Sequence, residues 1–134
     1  MVDHYSLNLV VLVGYIAGEV EHGRAKNGAQ WVRFTLATNE RFKNNTKHVE
    51  YHRVVAWGKK ASFILKWASK GRCIEVTGKL RHVRFQNEYG KEEYATNVQV
   101  EDFTWLGRKK DFEWPVEGEE EEEREEKREE DEPI

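Results

Sequence analysis

Apolar and polar residues alternate with a period of two along most of this chain up to Val100, and a helical period interrupts them only once. Such alternation predicts β-strands, because successive side chains of a strand point to opposite faces. We expect a first strand from Leu7 to Gly18, a second from Gln30 to Asn39 and a third from Val49 to Trp57. The apolar run in the first strand is nearly continuous, which predicts that this strand is covered on both sides.

A short helix and two more strands complete the pattern. Helical spacing covers Lys59 to Ser69, and Gly71 suits the residue that ends such a helix. The fourth strand is expected from Arg72 to Phe85, with a bend or bulge at Gly78. Its expected inward side chains are Ile74, Val76 and Leu80, and its expected outward ones are Thr77, Lys79, Arg81, Val83 and Phe85. The alternating residues of the fifth strand are Tyr94, Thr96, Val98 and Val100.

Polar stretches separate these strands. Residues 22–28 predict a hairpin loop, since Asn27-Gly28 tolerates a positive φ, and residues 40–48 and 86–91 predict two further loops. The order of three strands, one helix and two strands predicts an all-β protein with the OB-fold, a five-stranded Greek-key barrel. In that fold, strands two and three and the loops after strands one and four bind oligonucleotides or oligosaccharides.

Charge is distributed unevenly along the 134 residues. The net charge is −3, but Glu119 to Glu132 holds eleven acidic and three basic residues, a net −8, which leaves +5 for the remainder. A basic body joined to an acidic tail predicts a polyanion binder that carries its own competitor. A tail that serves only solubility is the alternative. We expect a folded domain over residues 1–107, with a short linker and a disordered acidic tail over residues 108–134.

Cysteine usage and hydropathy indicate in which cellular compartment the protein works. Cys73 is the only cysteine, so it cannot form an internal disulfide, and no N-terminal run is apolar enough for secretion or for crossing a membrane. Both observations predict a cytoplasmic protein. The histidines lack cysteine partners at zinc-finger spacing, and no nucleophile–base pair, phosphate loop or paired carboxylates form a recognisable motif. We therefore expect no metal, no cofactor and no catalysis.

Aromatic and cationic side chains alternate along the third strand. Tyr51, Arg53 and Trp57 share one face, while Phe42 and Phe85 lie in cationic stretches before and after it. Aromatic rings among cations suit a ligand with flat faces and negative charge, and single-stranded nucleic acid has both. Trp57 could instead belong to the core, and Phe85 could cap the end of the barrel, because large aromatic side chains are usually well buried.

The block from Glu50 to Lys59 reads Glu-Tyr-His-Arg-Val-Val-Ala-Trp-Gly-Lys. It closely resembles the glutamate–aromatic–His–Arg–Val–Val block, ending in aromatic–Gly–Lys, of the bacterial single-stranded DNA-binding proteins, the SSB family. Further blocks resemble the same family in the same order, at residues 9–14, 34–40, 70–72, 76–81 and 94–96. The resemblance spans Ser6 to Leu106 and implies an OB-fold that binds single-stranded DNA (ssDNA) without sequence preference, as a homotetramer.

The resemblance also implies site residues. The family's base-stacking positions fall on Phe42, Tyr51, Trp57 and Phe85, and the family usually has Trp at three of these, where this chain has Phe42, Tyr51 and Phe85. The candidate phosphate contacts are Arg33, Arg41, Lys43, Lys47, Arg53, Lys59, Lys79, Arg81 and Arg84. Arg53 and Arg81 are favoured because they share the parity of the aromatic residues. His52 is expected on the opposite face, hydrogen-bonded and near a subunit contact.

The C-terminus departs from the family pattern, which usually ends in Pro-Phe. Here the tip is Asp131, Glu132, Pro133 and Ile134, and it is the candidate binding site for partner proteins. The resemblance implies a nucleoid-associated protein that protects ssDNA and recruits enzymes of DNA replication, recombination and repair. An OB-fold module that binds protein, such as a primosome accessory protein, is the alternative from a different class.

Overall fold

The computed structural model describes residues 6–108, which form five β-strands and one α-helix. The strands are β1 (Val10–Arg24), β2 (Gln30–Arg41), β3 (Lys47–Trp57), β4 (Arg72–Gln86) and β5 (Glu92–Arg108), and the helix is α1 (Lys59–Trp67). The strands close into a barrel in the order β1-β2-β3-β5-β4. All neighbours are antiparallel except β3 and β5, which pair in parallel at Val54–Val98 and Val55–Gln99. The all-β OB-fold prediction is confirmed.

Inward-facing side chains of the strands fill the barrel interior, and α1 caps it. Val32, Phe34 and Leu36 are buried at alternate positions of β2, and Val54 and Ala56 at alternate positions of β3. Ala37 of β2 is also buried, at the opposite parity. From α1, Ala61 and Ile64 are fully buried against the barrel. The core cluster consists of Ile16, Val32, Phe34, Leu36, Val54, Ala56, Ala61, Ile64, Ile74, Val76, Val98 and Val100. Because this apolar set faces inward, the opposite parity of β2 and β3 is left for solvent or a ligand.

Several boundaries differ from the sequence-based prediction because hairpin pairing extends beyond the apolar pattern. β1 begins at Val10 rather than Leu7 and continues past Gly18 to Arg24, where it pairs with Gln30 after a register shift between Ala17 and Glu21. The loop between β2 and β3 is reduced to residues 42–46. At α1, the helix ends at Trp67 with Ala68 as its cap, so Gly71 lies in the turn into β4 instead of capping the helix.

The prediction for β4 was correct up to Gly78 and wrong for Leu80. The register with β5 shifts between Thr77 and Gly78, as expected for a bulge, and a Cβ at Gly78 would lie only 2.0 Å from the carbonyl oxygen of Gln99. Leu80, expected inward, is 42% exposed. The reason is that pairing of β4 with β1 ends at Gly78 and Val10, so that β4 beyond this point pairs with β5 alone and leaves the barrel wall.

The expectation that β1 is covered on both sides does not hold within one chain. Val10 and Leu12 are half-buried against the barrel, whereas Val11 and Val13 on the other face are exposed, as are Leu7 and Leu9 before the strand. One barrel supplies only one apolar layer for this strand. Among residues 6–108, no helix is long and apolar enough to cross a membrane.

Candidate nucleic-acid interface

The outward parity of β2 and β3 forms one continuous surface, the β2–β3 face, defined here by Trp31, Arg33, Tyr51, Arg53 and Trp57. Its residues are aligned by the antiparallel register, in which Trp31 lies opposite Trp57. Arg33 lies opposite Val55, and Thr35 opposite Arg53. Directly opposite residues on one face of an antiparallel pair are about 4.5–5.5 Å apart at Cβ. The strands therefore place rings and guanidinium groups next to one another without any loop.

The four aromatic residues predicted to stack on bases all keep a large exposed surface. Phe42 is 49% exposed, Tyr51 43%, Trp57 46% and Phe85 42%. A core position for Trp57 is therefore wrong: its ring lies at the outer side of β3, where Arg53 shares its parity. Such half-exposed rings present flat surface to a ligand.

A cleft of about 400 Å³ opens on the β2–β3 face beside β1. Tyr51, Arg33 and Arg53 line it together, so the structure brings one predicted stacking residue and two predicted phosphate contacts to a single site. The other lining residues are Glu19, Glu21, Phe34 and Thr35. A guanidinium Nη2 of Arg33 donates a hydrogen bond to the Glu21 carboxylate. Arg33 is thus held in place by an acid that a phosphate would have to replace.

Trp31 is a candidate that the sequence-based reasoning missed. The guanidinium carbon of Arg33 lies 5.6 Å from the centroid of the Trp31 ring, within cation–π range. On the other side, Gly23 of β1 pairs with Trp31, and a Cβ at Gly23 would lie 2.9 Å from the ring. The glycine leaves the ring room to lie against β1. The available signal was parity, since Trp31 and Arg33 are two residues apart on one strand.

Phe42 lies at the tip of the β2–β3 hairpin. Its backbone N–H donates to the carbonyl of Thr46 (2.9 Å), its carbonyl accepts from the N–H of Asn45 (3.0 Å), and Asn45 has a φ of 66°. The Phe42 ring is 6.3 Å from the ring of His48, centroid to centroid. Phe42 is therefore fixed by a five-residue turn instead of a long loop. Of the cations at this hairpin, Arg41 and Lys43 are exposed and Lys47 is half-buried.

Phe85 lies on a different arm of the molecule, formed by the ends of β4 and β5 beyond the barrel. Because β3 and β5 run parallel, this arm and the β2–β3 hairpin extend from the same end of the barrel. Arg81 is exposed on the arm, and Arg84 pairs with Glu92 at 3.1 Å. Phe85, Arg81 and Arg84 therefore lie apart from the β2–β3 face, although the β4–β5 arm and the β2–β3 hairpin extend from the same end of the barrel.

The remaining sequence-predicted residues lie at the margins. Lys59 is the first residue of α1, two residues beyond Trp57, and is exposed. Lys79 pairs with Glu101 of β5 at 3.3 Å and is not brought to the β2–β3 face. His52 has the parity opposite to Tyr51, as expected, and its Nε2 lies 2.8 Å from the hydroxyl oxygen of Thr38. The predicted tip, Asp131 to Ile134, lies outside the described residues.

Comparisons with known proteins agree with this geometry. The model of the "Single-strand binding protein family" matches residues 7–106. Single-stranded DNA-binding protein 1 of Chlorobaculum tepidum is 36% identical over 108 residues, which cover 77% of this chain and 67% of the relative. Single-stranded DNA-binding protein 1 of Streptococcus pyogenes is 33% identical over 105 residues, which cover 77% of this chain and 81% of the relative.

A solved structure gives the same fold. A Plasmodium falciparum SSB in complex with ssDNA is similar with a TM-score of 0.68 at 25% sequence identity, over 78% of this chain and 99% of the other. The family-model match, residues 7–106, begins and ends within one residue of the resemblance found in the sequence, Ser6 to Leu106. The barrel, its aromatic and cationic outer face and these matches together show that this chain belongs to the single-strand binding protein family.

Proposed function

We propose that this protein binds ssDNA without sequence preference through the β2–β3 face and the two hairpins that flank it. The observation that carries the proposal is the alignment of Trp31, Tyr51 and Trp57 with Arg33 and Arg53 on one side of a closed barrel. Membership of the family and the likeness to an SSB solved with ssDNA support it. Every base has a π-face, so stacking on these rings needs no particular sequence.

The chemistry divides between rings and cations. Bases stack on Phe42, Tyr51, Trp57 and Phe85, and we add Trp31 to this set because it lies opposite Trp57. Arg53 has no ion-pair partner among residues 6–108 and is open to a phosphate, whereas Arg33 has to exchange the Glu21 carboxylate for one. Neutralised phosphates release counterions, so binding weakens as salt rises. We expect no catalysis and no cofactor in this function.

Assembly into a homotetramer is part of the proposal. Leu7 and Leu9, which precede β1, and Val11 and Val13 on the outer face of β1 are all exposed. Contiguous exposed apolar surface of this kind marks protein–protein contact sites. A second copy would supply the layer that the continuous apolar run of β1 predicts and that a single barrel lacks.

The division of labour along the chain follows the predicted domains. Residues 1–107 form the ssDNA-binding domain, and residues 108–134 form the linker and acidic tail that recruits replication, recombination and repair enzymes through Asp131 to Ile134. In this proposal the protein works on DNA in the cytoplasm, at the nucleoid. The net charge of −8 between Glu119 and Glu132 makes this segment a competitor for the cationic face, at an effective concentration raised by its tether.

Titration with oligo-dT tests the binding proposal. Anisotropy of a labelled oligo-dT gives the affinity. Quenching of tryptophan fluorescence reports contact with the β2–β3 face, and Trp31 and Trp57 should account for most of it. Saturation at a stoichiometric ratio, with similar affinity for mixed-sequence strands, is the expected result. No binding at low salt would contradict the proposal and favour the protein-binding OB module.

Truncation after Gly118 tests the tail. It should tighten ssDNA binding at low salt by removing the competitor, and the gain should shrink as salt screens both interactions. Deletion of Pro133 and Ile134 alone should abolish capture of partner enzymes without tightening ssDNA binding. Equal ssDNA affinity with and without the tail at low salt would refute the competition. Partner capture that survives loss of the tip would leave the tail as a solubility device.

A further inference from the structure

The outer side of α1 carries a second exposed aromatic and cationic surface, which the ssDNA proposal does not use. Phe63 is 57% exposed and Trp67 59% exposed, and at a spacing of four residues they lie on the same side of the helix. Residues 59–70 contain four lysines and no acidic residue. We define the α1 patch as Phe63 and Trp67 together with Lys60, Lys66 and Lys70.

The α1 patch is separate from the β2–β3 face. The Ser62 hydroxyl donates a hydrogen bond to the side-chain oxygen of Gln30, the residue before Trp31, so the Ser62 side of α1 faces β2. Phe63 is rotated by about 100° from Ser62 around the helix, and Trp67 lies further in the same direction. The two large rings therefore do not face β2, and the α1 patch is a surface apart from the β2–β3 face.

The path of the chain brings one candidate occupant to this place. β5 ends at Arg108, which pairs with Arg72 at the start of β4. Arg72 follows Trp67 by five residues, and its N–H donates to the carbonyl of Ser69 at 3.1 Å, so the connection between them turns tightly. The chain beyond Arg108 thus begins beside the C-terminal end of α1. Six further residues reach at most about 20 Å, enough to return along the four residues that separate Trp67 from Phe63.

The composition of that next segment complements the patch. Residues 111–118 read Asp-Phe-Glu-Trp-Pro-Val-Glu-Gly, with two aromatic residues, Pro and Val among three acids and no base. We propose that residues 111–118 of this chain dock on the α1 patch of the same chain. Phe112 and Trp114 cover Phe63 and Trp67, and the acids Asp111, Glu113 and Glu117 neutralise the surrounding lysines. This docking is independent of ssDNA binding and leaves the acidic run from Glu119 outside the contact.

Amide NMR spectra of the full ¹⁵N-labelled chain test the proposal. Phe112→Ser with Trp114→Ser should shift the backbone signals of Phe63 and Lys66 and the indole N–H signal of Trp67, and should leave Tyr51 and Trp57 unchanged. The reciprocal variant, Phe63→Ser with Trp67→Ser, should shift the indole N–H signal of Trp114. The matched control is Tyr89→Ser with Tyr94→Ser, two exposed aromatic residues of the β4–β5 arm, which should leave the Trp114 signal in place.

Three outcomes would overturn the proposal. Unchanged signals on α1 in the Phe112/Trp114 variant would mean that nothing from this segment covers the patch. Shifts at Tyr51 and Trp57 instead would place the segment on the β2–β3 face. Restoration of the α1 signals when the labelled variant is mixed with unlabelled unmodified chains would identify the occupant as the segment of a second copy.

Discussion

The β2–β3 face and the α1 patch are both exposed mixtures of aromatic rings and cations, yet they differ in what holds their side chains. On the β2–β3 face, rings and guanidinium groups lie on two hydrogen-bonded strands in fixed register, and Arg33 is held by Glu21. On α1, two rings and several lysines lie along one helix with no acid in residues 59–70. Arginine is a planar donor suited to phosphate, whereas lysine is a mobile point charge.

The comparison shows that composition alone does not specify a ligand. Both surfaces satisfy the rule that aromatic rings among cations suit ssDNA. The first lies on two hydrogen-bonded strands that continue into the β2–β3 hairpin, and we propose that ssDNA runs along it. The second lies beside the point where the chain continues beyond Arg108, into a segment of opposite charge. These different neighbourhoods are the reason that we propose ssDNA as the ligand of the β2–β3 face and residues 111–118 as the occupant of the α1 patch.

Replacement of one tryptophan on each surface should give the largest difference in ssDNA affinity between the two surfaces. Trp57→Ala should weaken oligo-dT binding by about 1–3 kcal/mol, the general value for a base stacked on an aromatic ring in single-strand-binding OB-folds. Trp67→Ala removes the same side chain at similar exposure and should leave the affinity unchanged. Anisotropy titrations of both variants measure this difference. Equal losses would mean that ssDNA also runs over α1, and loss of folding in Trp57→Ala, seen by thermal unfolding, would make Trp57 a structural residue.

The hairpin tip tests how far the β2–β3 face extends. Phe42→Ala should weaken oligo-dT binding by about 1 kcal/mol, at the lower end of the range for one stacked base. The stability of this variant should fall less than that of Trp57→Ala, because Phe42 lies half-exposed in the hairpin tip, outside the barrel strands. Titration and thermal unfolding of the same samples give both quantities. An unchanged affinity would remove the tip from the site.

The cations of the face and of the β4–β5 arm can be compared through salt dependence. Arg53→Ala and Arg81→Ala should each make the negative slope of log K against log salt shallower by about 0.7, the value for one phosphate contact on a single strand. Lys66→Ala on the α1 patch is the matched control and should leave the slope unchanged. Identical slopes in all three variants and the unmodified protein would mean that neither arginine neutralises the DNA backbone.

The smallest expected effect concerns Glu21, the acid that forms an ion pair with Arg33. Glu21→Gln should tighten ssDNA binding by a few-fold, since an exposed ion pair that must be broken costs about 0–1 kcal/mol. Glu19→Gln removes an equal charge from the same cleft but keeps the Arg33 pair, so its gain should be smaller. Both gains are read from oligo-dT titrations at low salt. A gain in Glu19→Gln as large as that in Glu21→Gln would show that only the charge of the cleft matters.

Strand-by-strand reasoning predicted the parts of the site that depend on local pattern. The exposure of Tyr51 and Trp57 and the hydrogen-bonded position of His52 follow from parity within β3. Parity with Arg33 could have identified Trp31, but its position opposite Trp57 depends on the pairing of β2 with β3. The pairing of Lys79 with Glu101 likewise depends on the register of β4 with β5.

The element order, the inward and outward faces of β2 and β3, and the opposite charges of body and tail were predictable from the sequence alone. These properties depend on backbone periodicity and composition, which act over a few residues. The exposure of Leu80, the pairing of Arg33 with Glu21 and the position of the end of β5 beside α1 became visible only in the folded chain. All three depend on residues that are far apart in the chain. Their relative positions are set only when the barrel closes, because closure fixes the strand register and the points at which the strands leave the barrel wall.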